Sequence, residues 1–173
     1  GYPLIGGGAP CADAIAHATA ELRALVMSTS PMGTSPSVPA ALRPCAPFSS
    51  DLDLSMYEAT VFGNFQGAVQ YNLEAGPPYV SDVCDAVAAA PDALSGLAAA
   101  TALFYPNASA PFAERCIASD FQKDYVDAYL ANVSFSPAGC DLECAAGRQW
   151  IYQSCNEFGY FQTAAGSASP FAA

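Results

Sequence analysis

The sequence predicts a mainly α chain that ends in a single β-strand, and three observations carry that expectation. Apolar residues recur at helical spacing in several segments between Ala12 and Ala131. Proline and glycine gather between those segments, where they punctuate the chain. Only Arg148 to Phe158 alternates with period two, with Trp150, Tyr152 and Asn156 on one side and Ile151 and Cys155 on the other.

Taken in order, the first helix is expected from Ala12 to Met27, where Ile15, Ala18, Leu22, Leu25 and Val26 form one stripe. Ser28 to Phe48 carries Pro31, Pro36, Pro39, Pro44 and Pro47 and reads as an irregular connection. Ser50 is a natural N-cap for the second helix, and Asp51 and Asp53 place negative charge at the positive end of its dipole. Leu54, Tyr57, Val61, Phe65 and Val69 are expected on its buried face, and Gly76-Pro77-Pro78 closes the segment. Shorter helices are expected over Val80–Ala89, Ala93–Phe104 and Ser119–Ala131, the last with Phe121, Tyr125 and Tyr129 in line. Ser134 to Gly147 reads as a loop holding Cys140 and Cys144, and the tail from Ala164 as frayed. A lone strand after this loop leaves its backbone edges unpaired, so it needs a sheet from elsewhere.

Composition excludes several classes of function. Charged residues make up 12% of the chain against about 25% in a typical domain, and the formal net charge is -11. So acidic a chain repels phosphate backbones and anionic membrane surfaces. Arg23, Arg43, Arg115, Lys123 and Arg148 are scattered, so neither nucleic acid nor membrane is expected as a partner. The most hydrophobic stretch, Ala86 to Tyr105, is interrupted by Pro91 and Asp92 and reads as two short buried helices rather than a membrane span. The first ten residues, Gly1 to Pro10, lack the basic start and apolar core of a signal peptide.

Seven cysteines, at 11, 45, 84, 116, 140, 144 and 155, favour an oxidising compartment, as do the glycosylation sequons at Asn107 and Asn132. The count is odd, so at least one thiol is reduced, intermolecular or paired outside the chain. The residues alone leave the loop pair open: Cys140 and Cys144 suit a constrained local disulfide better than a metal site, which wants four ligands. No metal and no cofactor is expected.

Hydrolytic chemistry through a serine requires a histidine base and an orienting carboxylate. The sole histidine, His17, faces away from the apolar stripe of its helix, and no G-x-S-x-G motif is present. The catalytic residues expected in this chain are therefore none. Of the paired carboxylates, Asp51 and Asp53 have a capping explanation. Glu143 and Glu157 do not, and Glu157 stands at the expected strand end, where α/β folds place functional groups.

The stretch Arg148-Gln-Trp-Ile-Tyr-Gln-Ser-Cys-Asn-Glu-Phe-Gly-Tyr-Phe-Gln-Thr163 resembles a signature of the serine peptidase family of lysosomal Pro-X carboxypeptidase, dipeptidyl peptidase II and thymus-specific serine protease. Supporting matches precede it in the family's order: Cys11 and its helix, Leu42-Arg-Pro-Cys-Ala-Pro-Phe-Ser-Ser50, Ala68-Val-Gln-Tyr-Asn72 before Val83-Cys84, and Asn132-Val-Ser-Phe135. The resemblance implies the helical cap region of an α/β-hydrolase-type enzyme, residues 1–147, followed at 148–173 by a strand and tail returning to an incomplete core. It implies disulfides between Cys11 and Cys84 and between Cys45 and Cys116, with Cys155 bonded to a cysteine further downstream. It places Asn156, Glu157, Phe158 and Tyr160 against substrate.

The implied function is part of a serine-type exopeptidase, a Pro-Xaa carboxypeptidase or a dipeptidyl peptidase, that covers the active site and helps select substrate. By itself the piece would be inactive. Its partner would be a peptide with proline near a terminus, a homodimer is compatible with this reading, and its location would be the secretory pathway, lysosomal, vacuolar or extracellular. The alternative is a secreted, disulfide-bonded helical module that binds a partner without catalysis. That module would close its own cysteine framework and have no orphan strand.

Overall fold

The structure is a computed structural model that describes residues 8–74, 76–105, 116–128 and 142–159. Among the described residues the main helices are α1 Gly8–Met27, α2 Asp51–Gln70, α3 Val80–Ala89, α4 Ala93–Ala102, a wide π-helical α5 Phe121–Asp127 and α6 Leu142–Gln153, with a short 3-10 turn at Ala40–Leu42. The backbone of α6 continues in π-helical form over Ser154–Phe158. Among the described residues there is no β-strand, only isolated bridges from Met32 to Phe48 and from Pro44 to Ile117.

The core forms where α4 packs between α1 and α3. Ala18, Leu22 and Val26 of α1 are buried there, with Ile15 and Leu25 packed at the margin. Leu97 and Ala100 of α4 are wholly enclosed. Gly96 lets α4 approach α3, since a Cβ there would stand 3.1 Å from the Val87 carbonyl oxygen and 3.2 Å from its Cα. Two short helices reach this contact because Asp92 ends one segment and caps the next. Its carboxylate accepts hydrogen bonds from the Ser95 amide at 2.8 Å and hydroxyl at 2.7 Å. The hydrophobic stretch thus forms buried helices, and no described helix is long and apolar enough to cross a membrane.

α2 begins as its sequence demands. The Ser50 hydroxyl accepts from the Asp53 amide at 3.2 Å, while Asp53 accepts from the Ser50 amide at 2.9 Å. This reciprocal cap satisfies amides that the first helical turn leaves unpaired. Leu54, Tyr57, Val61, Phe65 and Ala68 then face the core. Val69, expected there, is exposed instead. Each step of four residues overshoots a helical turn by about 40°, and a third such step after Tyr57 carries position 69 off the face; a step of three brings Ala68 onto it.

The irregular segment between α1 and α2 packs on α2 through specific groups. Tyr57, fully buried, donates its hydroxyl to the Leu42 carbonyl at 2.6 Å. The Phe48 ring lies 5.3 Å from that of Tyr57. Two disulfides, Cys11–Cys84 and Cys45–Cys116, lock the assembly: one ties α1 to α3, the other ties the α1–α2 connection to the strand-like stretch before α5.

The C-terminal segment departs from expectation. Arg148–Phe158, expected as a strand, is helical throughout, and Leu142 to Gly147, expected as loop, forms the first turns of α6. The physical reason is hydrogen-bond closure. A strand must find another strand for every second backbone group, whereas a helix satisfies its own. The period-two alternation of Trp150 and Tyr152 against Ile151 does not override that, and the intervening Gln149, Gln153 and Glu157 are tolerant of helix.

Candidate functional site

The residues assigned to substrate contact lie at the end of α6 and beyond. Asn156, Glu157 and Phe158 are exposed on the π-helical extension, and Tyr160 lies outside the described residues. The Asn156 side-chain amide donates back to the Tyr152 carbonyl at 3.2 Å, which holds it along the helix. Gly159 then adopts φ +59° and its amide closes on the Ser154 carbonyl, ending the helix in a left-handed turn that suits glycine. Trp150, Tyr152 and Phe158 are 54%, 61% and 64% exposed, so this element presents aromatic surface outward. Cys155 is a free, exposed thiol. Cys140 and the sequons at Asn107 and Asn132 lie outside the described residues, as does the side chain of Cys144.

His17 stands on the exposed side of α1. Among the described residues no group of three His, Cys, Asp or Glu side chains is placed to hold a metal ion.

A second polar centre was not visible as such in the sequence. Asp53 is 5% exposed, and its carboxylate gathers donors from two distant parts of the chain. One oxygen accepts from the Ser49 amide, the Ser49 hydroxyl and the Ser50 amide at 2.8, 2.7 and 2.9 Å. The other accepts from the Phe121 amide at 2.9 Å, which joins the start of α2 to the start of α5. The Ser49 hydroxyl and then the Phe121 amide hold the Asp53 carboxyl well below the usual carboxylate range, against the opposing effect of burial. Beside it, Ser119 is fully buried; its hydroxyl donates to the Ala46 carbonyl at 3.0 Å and accepts from the Ala46 amide at 2.9 Å. Asp124 accepts from the Ser119 and Asp120 amides, each at 3.1 Å. The Asp53, Ser119 and Asp124 side chains are each engaged by backbone groups, and together they position the start of α5. On that helix the Phe121 and Tyr125 rings stack 5.5 Å apart.

One ion pair bridges helices: Arg23 of α1 donates to both carboxylate oxygens of Glu58 on α2 at 2.6 Å. Partial burial pushes the Glu58 carboxyl up, and Arg23 opposes that shift. At the far end of α2, Val69, Tyr71 and Leu73 are 69%, 51% and 68% exposed.

Comparison with known proteins places these features in a lineage. Over 178 residues the chain is 28% identical to the thymus-specific serine protease of Mus musculus, which covers 96% of this chain and 32% of that protein. The chain therefore spans about a third of the length of the relative it matches. No solved structure matches it. The profile of serine carboxypeptidase S28 matches residues 5–173, from before α1 to the last residue. A helical unit with those matched residues throughout, closed by Cys11–Cys84 and Cys45–Cys116, belongs to the serine carboxypeptidase S28 family.

Proposed function

We propose that this chain is the helical cap portion of a serine exopeptidase, a Pro-Xaa carboxypeptidase or a dipeptidyl peptidase, and that it is inert by itself. The observation that carries the reading is the S28 match along residues 5–173 of a chain whose one histidine, His17, is exposed on α1. A serine nucleophile needs its base within hydrogen-bond reach, and an exposed helical histidine is not so placed. In this reading the chain roofs an active site supplied elsewhere in the enzyme. The aromatic surface of Tyr152 and Phe158, with Asn156 and Glu157, meets a peptide that carries proline near one terminus. Two disulfides and the family membership support a secretory or lysosomal setting, where such bonds persist.

The test is enzymatic. The purified 173-residue chain is incubated with a fluorophosphonate probe and with a chromogenic proline-containing dipeptide. Neither serine labelling nor turnover above background is expected, while the longer peptidase that contains the chain gives both. Stoichiometric labelling of this chain, or an open reading frame that ends where it does, overturns the proposal.

A further inference from the structure

Among the described residues no strand lies beside Arg148–Phe158, and the helix it forms suits its side chains poorly. Trp150 and Tyr152 stand two residues apart, about 200° around an α-helix, so one neighbour cannot cover both. Both are exposed, as is Phe158. From Trp150 to Asn156 the residues are Trp, Ile, Tyr, Gln, Ser, Cys and Asn. Of these only Gln153 is a strong helix former, whereas Trp150, Ile151 and Tyr152 are of types enriched in strands.

The backbone is held as weakly as the side chains. Over Ser154–Phe158 it widens into π-helix, a form that is rare beyond a single turn. α6 packs chiefly against this continuation of itself. Between Gly147 and Gly159 only Ser154 is buried, and its hydroxyl has no hydrogen-bond partner. An extended backbone would sort the same residues, with Trp150, Tyr152 and Phe158 on one face and Ile151 and Cys155 on the other. The charges, Arg148 and Glu157, stand near the ends of the segment, and none lies between them. Apolar groups on both faces and an uncharged middle are what a strand covered on both sides requires.

We infer that Arg148–Phe158 is a conformational switch, helical in this chain and unwound into a β-strand where the longer peptidase offers a sheet; this rests on the reading of the chain as one portion of such an enzyme. Without a sheet the helix wins, because it closes its own backbone hydrogen bonds. Beside a strand those groups pair across the sheet, and Trp150, Ile151 and Tyr152 leave water together. The segment lengthens from roughly 16 Å to roughly 36 Å in the process. Asn156, Glu157 and Phe158 then stand at the strand end, where α/β folds place functional groups, so the proposed peptide contact is kept.

Nuclear magnetic resonance with this segment isotopically labelled tests the switch. In this chain alone, the Cα carbon shifts of residues 149–157 are expected on the helical side of their random-coil values. In the longer peptidase they are expected on the strand side, with amides that exchange at least tenfold more slowly. Gln153→Val, which trades helix preference for strand preference, is expected to cut the helical shifts in this chain by about half and to leave turnover of the longer peptidase within about twofold. Helical shifts in both settings, or strand shifts in both, overturn the inference, as does a tenfold loss of turnover in Gln153→Val. Strand shifts that arise in this chain only as it self-associates would name a second copy as the source of the sheet and overturn it too. Absence of turnover in the unsubstituted longer protein would instead refute the proposed function, and the shift comparison would still decide the switch.

Discussion

Asp53 joins local and long-range order through one carboxylate. Its bonds to Ser49 and Ser50 cap α2, and its bond to the Phe121 amide, 68 residues away, anchors α5. Because its folded pKa is depressed, its contribution to stability is present above the unfolded aspartate value of about 3.9 and fades as pH falls toward the folded value. Asp53→Asn is therefore expected to cost about 2 kcal/mol at neutral pH through lost charged hydrogen bonds, and to flatten the decline of stability below pH ~4. Urea denaturation of both proteins at several pH values measures this. An unchanged acid limb in the variant would show that Asp53 is not the group that titrates. The same residue illustrates what local pattern reveals: Ser50 and Asp53 announce a helix start, but nothing near either announces Phe121.

Among the described helices, α3 and α4 approach each other closely at Gly96. Gly96 faces the Val87 backbone, which belongs to α3 and has no room to withdraw. Gly96→Val is expected to destabilise the chain by about 2 kcal/mol through overpacking, read as a drop in the urea midpoint with an unchanged m-value. A neutral result would mean that the α3–α4 contact is looser than its geometry indicates. At the same scale, α3 runs Val80–Ala89 in sequence pattern and structure alike, and α1 and α4 differ only at their ends. α5 was legible as a helix but not as a π-helix, and its anchor on Asp53 lies 68 residues away in sequence. In sequence the second half of α6, from Arg148, reads as strand because Trp150 and Tyr152 alternate, and its first half reads as loop. Their exposure shows that no sheet or core holds that alternation in the described structure.

The whole molecule depends on covalent closure as well as on its core. Cys45–Cys116 spans 71 residues and Cys11–Cys84 spans 73. Bridging loops of this length restricts the unfolded chain and is worth about 4 kcal/mol each in the chain-entropy account. Cys45→Ala with Cys116→Ala is expected to lower Tm strongly and to make α5 amides exchange with α2 amides still protected. Loss of both together would instead show that the segment carrying α5 and the α2 core unfold as one unit.

The sequence by itself determined the mainly helical class, the helix start at Ser50, the break at Pro91-Asp92 before the helix from Ala93, most of the buried positions of α1 and α2, and the family through a resemblance at Arg148–Thr163. These are local matters, because capping, helical periodicity and short motifs act within a few residues. Only the tertiary structure decided that Asp53 reaches Phe121, that Ala68 rather than Val69 closes the buried face, and that Val69, Tyr71 and Leu73 at the end of α2 are left exposed. Those outcomes depend on which surfaces meet. Burial and pairing are properties of two segments at once, and no pattern within either segment records them.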